Sequence, residues 1–306
     1  MPKILVATQK PFHPKGAENI KEIFAFANYD VVFLEKYADK SELLENVKDA
    51  EGLIIRSDKI TREVIEAAPK LRIIVRGGAG YDNVDLEAAT EKNIVVMNTP
   101  GQNSNAVAEL ALGMMLYFAR NKFTPSQGTE LREKKLGIHA YGNVGRYVAE
   151  IANGVGMDVY AFDPFVPKDL MKKDGVTRVK NVDELYETCQ FISLHIPANE
   201  KTKQSINYKL MSKMPEHAVL VNTARKEVVS EDDLLKIFKD RDDFYYLSDI
   251  APDCREELES NYEDRIFFTP KKMGAQTVEA NINAGVAAAN QIIDYLEKGD
   301  TTFQVN

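Results

Sequence analysis

Cysteine is almost missing from this chain of 306 residues: Cys189 and Cys254 are the only two, too few for a disulfide framework and without metal-ligand spacing. A reducing cytoplasm is the expected setting. Basic charge is also in deficit, 39 Lys and Arg against 47 Asp and Glu, which leaves a formal net charge of −8. A nucleic acid or an anionic membrane as partner would normally need a basic face, so both are disfavoured. A small anionic substrate is not, because a few local arginines suffice. Long apolar runs are lacking as well. None approaches the ~18 residues that span a bilayer, and the opening Met1-Pro2-Lys3-Ile4-Leu5-Val6-Ala7 reads as a first strand rather than a targeting segment. Low-complexity tracts and internal repeats are absent.

What the chain has is alternation. Short β-branched runs at 4–7, 31–34, 53–55, 73–75 and 94–97 are separated by helical patterns such as 17–27 and 62–68, the latter with Thr61 as expected N-cap. A second series of strands is expected at 136–140, 158–162, 191–194, 218–221, 245–247 and 266–268. Between the two series lies a long apolar helix, 104–119, and a last helix covers about 278–296. Segment 122–132 is polar and reads as a surface loop. This order predicts an α/β protein with βαβ units and parallel sheets. The length exceeds the ~100–200 residues of one domain, so two such domains with a ligand cleft between them are expected.

The second series opens on Leu136-Gly137-Ile138-His139-Ala140-Tyr141-Gly142-Asn143-Val144-Gly145, a strand turning into the helix 146–155. It is a variant dinucleotide fingerprint, A-x-G-x-x-G, with Ala140 in place of the first glycine. Gly142 lets the backbone approach a pyrophosphate, Gly145 lets helix and strand pack closely, and the helix N-terminus offers N–H groups and positive dipole. Tyr141, Asn143 and Val144 complete the turn. Asp163 stands at the end of the next strand, 21 positions after Gly142, where a carboxylate would accept from the adenosine ribose hydroxyls. A carboxylate there repels a 2′-phosphate, so the expected cofactor is NAD rather than NADP.

Further segments carry a family resemblance: Val75-Arg76-Gly77-Gly78-Ala79-Gly80-Tyr81-Asp82-Asn83-Val84-Asp85, the stretch 98–112, Ser193-Leu194-His195-Ile196-Pro197, Val221-Asn222-Thr223-Ala224-Arg225 and Ser248-Asp249-Ile250. In this order, over nearly the whole chain, they resemble the D-isomer-specific 2-hydroxyacid dehydrogenases. Leu53-Ile54-Ile55-Arg56-Ser57 and Thr269-Pro270-Lys271-Lys272 are similar to a short, lysine-type branch that acts on 3-phosphoglycerate. The resemblance implies two Rossmann-like or flavodoxin-like domains with the active site in the cleft between them. The substrate domain would be discontinuous, 1–98 plus 275–306, with an NAD-binding domain, 99–274, inserted. It also implies a homodimer with much of its contact around 104–119, which burial inside one subunit would equally explain.

The same resemblance assigns residues. Arg225 grips the substrate carboxylate and polarises the oxo group, bidentately and permanently charged. Gly78, Ala79 and Gly80 complete the carboxylate site, Arg56, with Ser57 or Lys59, meets a phosphate, and Asn83 lies near the substrate. Lys122 and Arg132 are open candidates for a further basic contact. Asn103, His195, Thr223, Ala224, Asp249 and Gly274 border the NAD site.

Where the family carries a catalytic histidine after Thr-Pro, this chain has Thr269-Pro270-Lys271-Lys272. Keeping Gly274-Ala275-Gln276-Thr277 in register places Lys272 on the histidine; keeping Thr269-Pro270 selects Lys271. Lys272 is preferred. A free lysine, with pKa about 10.4, is a poor base at neutral pH, so partial burial and neighbouring positive charge are expected to depress it. The family's orienting glutamate is here Cys254; a carboxylate against the lysine would raise its pKa, so the two losses are chemically coherent, although Asp253 or Glu256 is close enough to substitute. The other histidines, His13, His139 and His217, fall in loops or within the cofactor strand. The implied activity is NAD-dependent oxidation of 3-phosphoglycerate to 3-phosphohydroxypyruvate. Alternatives are reduction of hydroxypyruvate, glyoxylate or another 2-oxo acid, and an inactive NAD sensor.

Overall fold

The computed structural model describes all residues, Met1–Asn306, and divides them into two compact units, Met1–Asn103 with Gln276–Asn306, and Ser104–Ala275. The first unit holds a five-stranded sheet of β1 (Lys3–Thr8), β2 (Asp30–Glu35), β3 (Gly52–Ile55), β4 (Ile73–Arg76) and β5 (Val95–Asn98), ordered β2-β1-β3-β4-β5. All its ladders are parallel. Its strands are apolar nearly throughout because both faces are covered. One face packs Leu5, Leu53, Ile55 and Ile74 against Val47, Val64 and Ala88. The other packs Ile4, Val6, Ile54 and Val75 against Phe24, Ala288, Ala289 and Ile292, which brings the helices Pro14–Phe26 and Val278–Lys298 together. Gly285 makes that approach possible, since a Cβ there would stand 2.9 Å from Ile20 Cδ1. Ile292 is fully buried, so truncating it to Ala would cost about 2–5 kcal/mol.

The second unit holds a seven-stranded sheet of β6 (Lys135–His139), β7 (Asp158–Phe162), β8 (Thr177–Arg178), β9 (Phe191–Leu194), β10 (Val219–Asn222), β11 (Tyr245–Ser248) and β12 (Ile266–Phe268), ordered β12-β11-β10-β9-β6-β7-β8. It too is parallel throughout. The order reverses at β6, from which the chain runs outward to β7 and β8 and then to β9 on the other side. In open α/β sheets that reversal marks the ligand crevice at the carboxyl ends of the strands. The apolar helix Ser104–Ala119 buries Ala108, Ala111, Leu112, Met114 and Met115 in this unit's own core, while Leu116 is exposed.

The expected strands lie within two residues of those observed. Three details differ. The first helix starts at Pro14, three residues earlier than its apolar pattern suggests, because His13 caps it with Nδ1 toward the Lys15 N–H. Thr61 makes no side-chain cap to the short helix Arg62–Glu66. The polar loop after the 104–119 helix opens with three successive left-handed residues, Asn121, Lys122 and Phe123, at φ 47, 55 and 58°. No helix is long and apolar enough to cross a membrane.

Candidate active site

Register gathers the candidate residues. In the seven-stranded sheet His139 pairs with Phe162 and Leu194, Leu194 with Asn222, Asn222 with Ser248, and Ser248 with Phe268. The residues that follow these partners are Ala140, Asp163, His195, Thr223, Asp249 and Thr269. One row of pairings therefore sets six separate segments along a single carboxyl edge.

At the fingerprint turn Ala140 sits at φ +78°, a left-handed conformation that costs an L-residue about 1–2 kcal/mol. The strain explains why glycine is usual there. A Cβ on Gly145 would lie 2.4 Å from the Ala140 carbonyl oxygen, so this glycine is needed for helix and strand to meet, whereas a Cβ on Gly142 would find nothing within 4 Å. The helix Asn143–Gly154 starts at Gly142 without a side-chain cap and without an acidic residue in its first turn. Its first N–H groups are thus left for an anion. Val144 is half-buried and Asn143 exposed beside them.

Asp163 is 7% exposed; its Oδ2 accepts from the Tyr141 N–H and its Oδ1 from the Phe165 N–H, both at 2.8 Å. It fixes the turn and retains further lone pairs for a ligand hydroxyl. Tyr141 borders the turn only through its backbone, because its ring is 1% exposed and its hydroxyl donates to Asp174 at 3.0 Å.

His195 and His139 are half-buried imidazoles. Burial pulls His195 down to about 3, with His139 adding to the effect, and pulls His139 down to about 4 against the charge of Asp163. His195 Nε2 lies 2.9 Å from Ser193 Oγ, and His139 Nδ1 lies 3.2 Å from the Tyr186 hydroxyl. Neither is protonated at neutral pH, which removes both as proton donors there.

After β10, Asn222 shapes the arginine loop: its Oδ1 accepts from Ala224 N at 3.0 Å and its Nδ2 donates to the Arg225 carbonyl at 3.0 Å. Arg225 is half-buried and gives one guanidinium nitrogen to the Ala224 carbonyl at 2.9 Å. Thr223 is 7% exposed, and its hydroxyl has no hydrogen-bond partner within the protein, a vacancy that a bound group would fill.

The lysine loop follows β12. Lys271 and Lys272 are both exposed, so the partial burial expected for Lys272 is not found. Asp249, 1% exposed, accepts from Met273 N at 2.7 Å, Gly274 N at 2.9 Å and the Thr269 hydroxyl at 3.0 Å. Oδ2 carries only one of these bonds and keeps a lone pair for a further donor. Gly274 is buried against Asp249. At the Cys254 position the structure brings in a carboxylate the sequence did not suggest: Glu231 accepts from the Asp253 and Cys254 N–H groups, each at 2.9 Å. Burial, with Glu231 beside it, pushes the Cys254 thiol up to about 12. Asp253 is paired with Lys226, and Glu256 faces a separate cavity with Tyr117 and Phe267. Lys122 donates to the Glu263 carbonyl at 2.8 Å, which commits one of the open basic candidates, and Arg132 is exposed over Gly156.

In the five-stranded unit the same logic of register applies. Ala7 pairs with Ile55, Ile55 with Arg76 and Arg76 with Asn98, so Arg56, the Gly77 loop and Thr99 share one carboxyl edge. Arg56 donates to the Lys10 and Pro11 carbonyls at 3.0 and 2.9 Å and lies over the Phe12 ring at 5.4 Å. Burial lowers its pKa, countered by Asp58. Asp58, unforeseen from sequence, is 2% exposed and accepts from the Gln9 N–H at 2.7 Å and the Tyr37 hydroxyl at 2.8 Å. Ser57 and Lys59 are exposed beside it.

Asn83 spends its amide on the Arg56 and Asp58 carbonyls, at 3.2 and 2.7 Å, and so offers a ligand only its Oδ1. Gly78 has φ +145°, and a Cβ there would meet the Arg76 guanidinium at 1.5 Å. The Gly77 and Gly78 N–H groups are taken by the Ile55 and Arg76 carbonyls. Asn103 is half-buried in the turn that precedes Ser104.

Comparison with known proteins adds four findings. The model of the D-isomer specific 2-hydroxyacid dehydrogenase catalytic domain matches residues 4–306. D-3-phosphoglycerate dehydrogenase of Methanocaldococcus jannaschii is 37% identical over an alignment of 311 positions that covers 95% of this chain but only 57% of that longer protein. Hydroxypyruvate reductase of Thermotoga maritima is 34% identical over 85% of this chain and 90% of its own length. Among solved structures, cofactor (NAD+)-bound 3-phosphoglycerate dehydrogenase of Entamoeba histolytica superposes with a TM-score of 0.89 at 47% identity, covering 100% of this chain and 98% of the other. This chain belongs to the D-isomer specific 2-hydroxyacid dehydrogenase family.

Proposed function

We propose that this chain oxidises D-3-phosphoglycerate to 3-phosphohydroxypyruvate with NAD, the step that opens L-serine biosynthesis, and that Lys272 is its acid/base. The observation that carries the reading is the single carboxyl edge on which the fingerprint turn, the Arg225 loop and the lysine loop fall together. The choice of substrate is supported by the 47% identity to the Entamoeba enzyme over the whole chain. In the same proposal the seven-stranded unit binds NAD and the five-stranded unit the substrate, and the active form is a cytoplasmic homodimer.

NAD fits this edge on three observations: the uncapped helix N-terminus, the open space at Gly142, and the unpartnered Thr223 hydroxyl. Bound there, it would supply the hydride acceptor. Asp163 accepts from the ribose hydroxyls. Arg225 holds the substrate carboxylate and polarises the C2 oxygen. Arg56, with Ser57 at hand, neutralises the phosphate. Lys272 takes the proton of the C2 hydroxyl on Nζ, and in reduction returns it from the ammonium to the carbonyl oxygen.

Turnover of 3-phosphoglycerate with NAD, compared between wild type and Arg56→Ala, tests the substrate. KM for the phosphorylated acid should rise by roughly tenfold or more, the worth of one charge-assisted contact, while unphosphorylated acids are unaffected. No turnover of 3-phosphoglycerate by the wild type would end this reading. A second one, reduction of hydroxypyruvate or glyoxylate, is favoured by the Thermotoga relative, whose length the chain nearly spans. Preference for the unphosphorylated acid in the same assay would select it.

A further inference from the structure

The strand order β2-β1-β3-β4-β5 reverses between β1 and β3, so the crevice of the five-stranded unit opens at the carboxyl ends of these two strands. The loops that follow them, 9–12 and 56–59, are joined there by one buried carboxylate. Asp58 accepts on Oδ1 from the Gln9 N–H at 2.7 Å and the Tyr37 hydroxyl at 2.8 Å, and on Oδ2 from the Arg56 N–H at 3.3 Å. Segments from after β1, β2 and β3 thus end on a single side chain. Burial, with the bond to Asp58, pushes the Tyr37 hydroxyl up, so it remains a donor at neutral pH.

Arg56 is tied to the loop after β1 a second time, by its side chain. Nη1 donates to the Lys10 and Pro11 carbonyls at 3.0 and 2.9 Å, and the guanidinium lies over the Phe12 ring at 5.4 Å. That ring is a fixed platform. It is buried, and a Cβ on Gly77 would stand 3.2 Å from its Cζ, one on Gly285 3.2 Å from its Cδ1. These bonds engage Nη1, which leaves the Nε and Nη2 edge of the fork for an anion. We propose that Asp58 is a positioning residue for phosphate selectivity. By joining the loop after β1 to the loop after β3 it fixes the direction in which the Arg56 fork meets a phosphorylated acid, and it does so from within the fold, without touching the ligand. The inference rests on the phosphate role given above to Arg56. By charge alone, a carboxylate this near Arg56 would weaken the binding of a phosphate; by geometry it strengthens it. Removing it therefore separates the two effects by their sign.

The test compares the full-length wild type with Asp58→Asn, Tyr37→Phe, Arg56→Ala and the double variant Arg56→Ala with Asp58→Asn. Each is assayed with NADH for reduction of 3-phosphohydroxypyruvate and of hydroxypyruvate, with KM and kcat separated. An asparagine must present its NH2 to at least one of the three donors, so in Asp58→Asn the KM for the phosphorylated acid should rise roughly tenfold, the worth of one charge-assisted bond. The kcat, and the KM for hydroxypyruvate, should stay within about twofold of wild type, the scale of an undisturbed site. Tyr37→Phe should raise the same KM by roughly threefold, the worth of one ordinary hydrogen bond, and it carries the test if Asp58→Asn does not fold. In the Arg56→Ala background Asp58→Asn should change nothing further, because a residue that acts only through Arg56 has nothing left to position.

An unchanged KM for the phosphorylated acid overturns the clamp, and a lowered one overturns it in favour of simple charge repulsion. An equal rise for both acids, or a further loss in the Arg56→Ala background, overturns it in favour of a general structural role. If Arg56→Ala itself leaves the preference for the phosphorylated acid unaltered, the phosphate reading fails first and the clamp falls with it.

Discussion

Two glycines of the fingerprint turn should respond oppositely to the same added methyl group. In Gly145→Ala the new Cβ would lie 2.4 Å from the Ala140 carbonyl oxygen and 3.0 Å from Ile138 Cγ2, both inside normal contact distance. The carbonyl is backbone, so helix Asn143–Gly154 must shift from β6, at a cost of about 1–3 kcal/mol by analogy with overpacked cores. For a domain of this size that lowers Tm by roughly 2–4 °C per kcal/mol. In Gly142→Ala the Cβ meets nothing within 4 Å, and its φ of −81° is open to alanine, so Tm should hold within about a degree, as for a neutral surface change. If the space over Gly142 is where the pyrophosphate comes close, that variant should lose NAD affinity by tenfold or more, about 1.4 kcal/mol. Differential scanning fluorimetry and NAD titration calorimetry on both variants give the four numbers. An unaltered NAD affinity in a folded Gly142→Ala protein would refute the placement of the cofactor.

Ala140→Gly should raise stability by about 0.5–1 kcal/mol, the left-handed cost removed less the extra chain entropy of glycine, and chemical denaturation would measure it. The buried histidines set a pH dependence. His139 is held at about 4 in the folded chain against 6.5 when exposed, so between these values the unfolded chain binds more protons and stability falls as pH falls. The contribution is on the order of 3 kcal/mol. Tm should drop more steeply from pH 6.5 to 4.5 in wild type than in His139→Gln; equal slopes would contradict the assignment.

The fold was legible because its signals are local and repeated. Apolar runs of four to six residues alternate with helical periods, and both sheets are covered on two faces, so strands such as Ile54 and Val221 show no polar alternation to confuse the reading. The fingerprint and Asp163 were legible for the same reason, since a tight turn and a strand-end carboxylate are fixed by spacing. What escaped were contacts between distant segments. Asp249 and Met273, Glu231 and Cys254, and Arg56 and Pro11 are joined by hydrogen bonds across 24, 23 and 45 positions. No periodicity encodes such bonds. The exposure of Lys272 escaped as well, because it depends on which segments the fold leaves uncovered.

A lysine amine is assigned the work of the missing histidine. Lys271→Ala and Lys272→Ala, prepared separately and checked for undiminished NAD binding, should be mixed with 3-phosphoglycerate and NAD and followed through one turnover by NADH absorbance. The account predicts near-normal NADH formation in Lys271→Ala and a loss of roughly a hundredfold or more in Lys272→Ala, the usual worth of a general base. Full activity in both variants would contradict it.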